Sequence, residues 1–172
     1  MSLIDTTYFT QGELKLPIDN IDIKFFIDEH EPKILKDILG YNLYKDFIAG
    51  LAVLPTPNQK WLELRDGKEY TDTSDELQKY EGVFWIIADY VYFKIIADIQ
   101  SYATDSGVTI GETDNARKTH SRYKQTFAYN DMVDRIKFMN DFIIATNDAS
   151  ADTYENYVKN TGLDIKVNVL NI

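Results

Sequence analysis

The sequence contains no cysteine. Disulfide staples, thiolate zinc sites and a cysteine nucleophile are therefore excluded. Histidine is nearly absent too, with two residues, His30 and His120. His30 lies between Glu29 and Glu31, but adjacent residues on a helix point to different faces and no second histidine lies four positions away. His120 belongs to the run Arg117-Lys118-Thr119-His120-Ser121-Arg122. Both are read as residues of solvated helix faces. Positive charge is scarce: 18 Lys+Arg stand against 28 Asp+Glu, a formal charge of −10. That balance argues against a general nucleic-acid binder. No long apolar run is uninterrupted. The strongest, Val83 to Ile99, carries Asp89, Lys94 and Asp98, each costing roughly 2.5–3.5 kcal/mol at a bilayer centre. It reads as a buried helix of a soluble domain, with no membrane partner expected. The N-terminal residues Met1 to Thr7 have no basic segment followed by an apolar one, so no secretory signal is expected. The G-x-S-x-G, P-loop, G-x-G-x-x-G and H-E-x-x-H patterns are missing as well.

What is present is a chain of 172 residues, 44% apolar and 13% aromatic. That suits one folded domain with a real core. Residues 1–18, with loose alternation around Leu14 and Leu16, read as an extended N-terminal arm. A helical domain is expected over 19–146. Asp19 or Asn20 can cap a first helix carrying Ile21, Phe25 and Phe26. Pro32 suits the first turn of a second helix, with Ile34, Leu35, Ile38 and Leu39 on one face. Gly40 is a natural stop, and Leu43, Tyr44, Phe47, Ile48 and Leu51 mark a third helix ended by Pro55 and Pro57. The Arg65-Asp66-Gly67-Lys68 turn signal places a small hairpin or insertion loop near 60–75. Thr71 to Glu76 reads as loop, with Ser74 or Asp75 as a cap for the next helix.

Residues 77–104 give the longest helix pattern, apolar on nearly every side between Val83 and Ile99, as expected of a central helix packed all round. A last long helix is expected from near Glu112 to about Thr146, with Asp131 and Arg135 as an i,i+4 pair. A C-terminal arm over 147–172 ends in an alternating stretch. Its Ile165, Val167 and Val169 predict a strand that pairs with the Leu14–Leu16 segment or with another subunit. The expected fold is mainly α: a bundle of about four to five helices with a long central apolar helix and extended arms at both ends.

Candidate chemistry is sparse. Asp89 and Asp98 stand out because they interrupt an apolar helix. Lys94 and Asp98 are spaced to pair, and a carboxylate pair of shifted pKa is the catalytic alternative. No cofactor or metal site is indicated, and the chain is not expected to be an enzyme. The one basic cluster, Arg117, Lys118, Arg122 and Lys124, reads as a solvated helix face, as a docking patch for an acidic partner surface or, against its acidic context, as a nucleic-acid patch. The 12 Tyr, 9 Phe and 2 Trp exceed what one small core needs, and Tyr is enriched at interfaces.

Several stretches together resemble a known family. Glu31-Pro32-Lys33-Ile34-Leu35-Lys36-Asp37-Ile38-Leu39-Gly40-Tyr41-Asn42-Leu43-Tyr44-Lys45-Asp46-Phe47 resembles the E-P-x-x-L-x-x-x-L-G-x-x-L-Y-x-x-F pattern of small head–tail connector proteins of tailed phages, those of Bacteroides-infecting and crAss-like phages above all. The segment from Trp61 to Tyr70, the aromatic helix after Gly82 and Asp134-Arg135-Ile136-Lys137-Phe138-Met139-Asn140 are similar to the same family. The resemblance implies a helical, non-enzymatic virion protein of the neck, assembled in the host cytoplasm. It implies a homo-oligomeric ring, commonly a dodecamer, below the portal. Such a ring binds the portal protein and the next neck or tail protein, and extends a channel through which DNA passes without specific binding. The alternative is an acidic phage-encoded inhibitor that mimics DNA charge, although the acids here are scattered, or another non-structural assembly protein.

Overall fold

A computed structural model describes residues 2–10, 14–16, 21–104, 107–110, 115–149, 154–159, 161–163 and 165–167, with side chains described throughout except at 100–122 and 161. The described residues form five α-helices and two two-stranded sheets. The helices are α1 (Ile23–Leu39), α2 (Tyr41–Leu51), α3 (Gln59–Asp66), α4 (Val83–Gln100) and α5 (Asn115–Ala149). Antiparallel β1 (Lys68–Thr71) and β2 (Leu77–Tyr80) pair Lys68 with Tyr80, and β3 (Ser101–Thr104) pairs with β4 (Gly107–Ile110). Among the described residues no helix is long and apolar enough to cross a membrane.

Local chemistry explains the boundaries. The Asp22 carboxylate accepts from the Phe25 amide at 3.0 Å and caps α1. The two helices expected between 21 and 39 are one, with Pro32 inside it. A proline there removes the bond to the carbonyl four residues back. That residue is Asp28, which is exposed, so water can take the freed acceptor. Gly40, at φ 72°, ends α1 and opens α2 directly. The expected hairpin near 60–75 lies further along the chain. Asn58 caps α3 through the Lys60 amide at 3.0 Å, and the strands follow at 68–80. Their connection is closed by Asp72, whose carboxylate accepts from the amides of Ser74 and Glu76 at 2.8 and 3.0 Å. Ser74 and Asp75 therefore belong to a turn and cap no helix. At the hairpin's base the backbones at Gly67 (φ 90°) and Gly82 (φ 97°) lie against each other. A Cβ on Gly67 would stand 2.3 Å from the Tyr80 carbonyl oxygen, and one on Gly82 would stand 2.3 Å from that of Arg65.

The core is continuous. Its α4 residues Val83, Ile86, Ile87, Val91, Ile95 and Ile96 are buried, and α4 contacts both α1 and α5. The helix begins at Val83 rather than near 77, because β2 occupies 77–80. Many aromatics are absorbed inside the chain rather than left for an interface. Phe142 stacks on Tyr80 with ring centres 4.7 Å apart and meets Tyr70 edge-on at 5.5 Å. Trp61 bridges Phe47 and Tyr154 at 6.0 and 5.8 Å. The hydroxyls of buried Tyr80 and Tyr154 donate to the carbonyls of Leu64 and Lys60 at 2.9 and 2.8 Å. This gives each polar tip the partner that its burial requires.

Over their described residues both chain ends are held against the helical body. Ile4, Phe9 and Leu16 are buried in the core, and the residues from Thr6 to Phe9 form a 3-10 turn. The buried Glu31 carboxylate holds this segment, accepting from the Ser2 hydroxyl at 2.8 Å and the Leu3 amide at 2.9 Å. At the other end, residues 165–167 join no strand ladder. The Asn130 side chain stands in for the missing strand: its amide donates to the Val167 carbonyl at 3.0 Å, and its oxygen accepts from the Val167 amide at 2.9 Å. Lys166 pairs with Asp134 at 2.6 Å. Ile165 and Val167 are exposed, and Val169 lies outside the described residues.

Candidate functional site

The chemistry of the fold concentrates where α4 faces α5. Residues 85, 89 and 92 are spaced by four and three, so Trp85, Asp89 and Tyr92 share one face of α4. From α5, Phe127, Asp131 and Arg135 share a face by the same rule. Arg135 is the centre of the arrangement. Its Nη1 bonds to the Glu81 carboxylate, its Nε lies 2.9 Å from Asp89 Oδ2, and its guanidinium carbon stands 5.4 Å from the Trp85 ring centre.

The Asp89 side chain is only 3% exposed. Its contact with Arg135 is close enough for an ion pair but out of line for a hydrogen bond, which leaves Oδ2 without a donor. Burial dominates and pushes the Asp89 carboxyl up to about 7, helped by the like charges of Asp131 and Glu81, while the charge and weak hydrogen bonding of Arg135 pull it back only in part. Removing a carboxylate from water penalises the charged form, and a single misaligned cation does not offset that. The neighbouring Tyr92 hydroxyl is also buried without a partner, and burial raises its pKa.

A cleft of about 570 Å³ opens beside this pair. Tyr8, Trp85, Tyr123 and Phe127 wall it, with Asp89 and Tyr92 also in its lining. Tyr8 meets Trp85 edge-on at 5.4 Å, and Tyr123 stacks on Phe127 at 6.3 Å. Beyond Arg135 lies a second, smaller cleft of about 360 Å³ that includes Glu81, Asp134 and Phe138. The arrangement can exchange a proton at Asp89 near neutral pH, and it can hold a cation against aromatic faces.

The residues singled out from the sequence are only partly brought together. Lys124 lines the larger cleft. Arg117, Lys118 and Arg122 lie on α5, with side chains outside those described, as is that of His120. Asp98 is exposed, away from buried Asp89, and Lys94 rides over the rings of Tyr90 and Phe93 at 5.2 and 5.5 Å. His30 is half-buried between Phe26 and Tyr90 rather than on a solvated face, and burial lowers its pKa. No cluster of three metal-ligating side chains occurs among the described residues. The Arg135 connection to Asp89 and Glu81 was not legible from spacing, which pointed to Asp131. The usable signal was a carboxylate inside an apolar helix, which needs a cation from somewhere. No protein family, curated protein or solved structure matches the chain.

Proposed function

We propose that this chain is a structural subunit of a tailed-phage neck. It forms a ring below the portal, commonly a dodecamer in proteins of this kind, which extends the DNA channel and joins capsid to tail. The observation that carries the reading is the placement of the 31–47 pattern. Its apolar positions Leu35, Leu39, Leu43 and Phe47 are buried, Gly40 turns α1 into α2, and Glu31 holds the N-terminal segment. The pattern thus sits on residues that determine the fold rather than on a reactive centre, as suits a structural family. In this reading α4 is the central apolar helix of each subunit. Exposed Tyr41, Leu54 and Leu77 supply apolar surface for neighbouring copies or for the adjoining portal and neck proteins. The acidic balance suits a conduit that repels DNA where acids line it.

The test is a count of this chain against the portal protein, by quantitative mass spectrometry of purified particles of the phage that encodes it. A ratio near one copy per portal subunit supports the neck assignment. Absence from particles removes it and favours a role outside the particle, such as that of an acidic inhibitor.

A further inference from the structure

We propose that the cleft between α4 and α5 is a binding site for an organic cation, a guanidinium or primary ammonium on an apolar stem, with Asp89 as its counter-charge and Trp85 and Phe127 as its walls. The argument starts from what Asp89 lacks. A carboxylate this buried ordinarily accepts several hydrogen bonds. Here its Oδ2 meets only the poorly aligned Nε of Arg135 at 2.9 Å. The Tyr92 hydroxyl beside it has no partner. Both residues line a cavity large enough for a small ligand or an inserted side chain.

The walls add a second observation. Five aromatic rings, two from α5, two from α4 and one from the N-terminal segment, line the space. Trp85, Tyr123 and Phe127 keep 36%, 56% and 45% of their surface exposed, so ring faces are open to an incoming group. Aromatic faces attract cations, and the attraction strengthens when water is displaced. The edge of the cleft already uses this chemistry: the Arg135 guanidinium lies over Trp85 between two carboxylates. Its Nη1 is turned to Glu81, so Asp89 is engaged from one side alone. A second cation entering the cleft would meet Asp89 in its lining. Lys124 and Arg135 repel it, and Asp131, also in the lining, offsets part of that repulsion. An anion would face the buried Asp89 carboxyl directly, and a neutral ring would leave Asp89 as it is.

The test is calorimetric titration of the full chain with benzylammonium, benzyl alcohol and benzoate, which share a ring and differ in charge. Saturable binding of benzylammonium at about 10 mM or below, at least about tenfold tighter than either analogue, is expected. Asp89→Asn should remove that preference. Because this substitution changes a buried residue, Trp85→Leu provides a second check. It alters a half-exposed wall and should weaken benzylammonium several-fold, with circular dichroism unchanged. Agmatine and a short arginine-containing peptide then separate a free amine from a partner's side chain. Tighter binding of the peptide supports the site with a protein source, and equal binding supports it with a small-molecule source. Equal affinity for the three ring compounds, tighter binding of benzoate, or an unchanged preference in both variants would overturn the proposal.

Discussion

Asp89 makes folding stability fall as the pH rises from acid towards neutral, opposite to the usual behaviour of a carboxylate held by a cation. Its folded pKa is about 7, against an ordinary value of 3.8. A carboxyl raised in this way contributes stability that is fully present below the unfolded pKa and is lost as the pH rises through the folded one. The window therefore runs from about pH 4 to about pH 7. Three units at about 1.4 kcal/mol each give about 4 kcal/mol over the whole window. Between about pH 5 and pH 8 the share lost is about 2–3 kcal/mol. His30, with its lowered pKa, acts in the opposite sense, since stability there rises as the pH climbs towards its unfolded value.

The contribution of Asp89 can be isolated by comparison with Asp89→Asn, which mimics the protonated acid at every pH and leaves His30 unchanged. Urea unfolding followed by tryptophan fluorescence, at several pH values across that range, gives both curves. Relative to the wild type, Asp89→Asn should gain about 2–3 kcal/mol on going from about pH 5 to pH 8. Arg135 keeps its Glu81 partner in the variant, so its own burial does not reverse the trend. A difference between the two proteins that stays flat with pH would refute the reasoning. It would mean that Arg135 holds Asp89 charged throughout.

The ends of the chain give two more expected outcomes. Glu31→Ala removes the acceptor for the Ser2 hydroxyl and the Leu3 amide; it should cost about 2–4 kcal/mol, and hydrogen exchange at Leu3 should speed up far more than in α4. Asn130→Ala should change global stability by about 1 kcal/mol or less while abolishing exchange protection at Val167, and continued protection there would show that Asn130 does not hold the tail.

Much of the helical framework could be read directly. Periodic apolar residues placed α2 and the second half of α5, and Gly40 marked a real boundary. The break expected at Pro32 did not occur, because the lost hydrogen bond falls on an exposed turn while Ile27, Ile34 and Leu35 keep one buried stripe through it. Propensity records the cost of a proline but not the burial that offsets it. The surplus of aromatics pointed outward in sequence terms, yet Tyr80, Phe142, Trp61 and Tyr154 satisfy one another inside. The candidate cleft was half visible. Asp89 was conspicuous within an apolar helix, but its partner lies far along the chain, and helical spacing reports only neighbours in sequence. Likewise, alternation in Ile165 and Val167 carried no information that the Asn130 side-chain amide would hold the Val167 backbone.

The meeting of Gly67 and Gly82 has a topological effect. It brings the start and the end of the β1–β2 excursion to a single point on the body. Whatever happens to the length of the turn between Asp72 and Glu76 need not be transmitted to α3 or α4, since the pinch fixes where they part and rejoin. The cost of closing a longer loop grows only slowly with its length. While Tyr70 and Tyr80 tie the strands to Phe142 of α5, the connection from Thr73 to Glu76 is exposed, a place where a recognition element can be appended or trimmed and where a reporter domain can be spliced between Thr73 and Ser74 without re-engineering the bundle beneath.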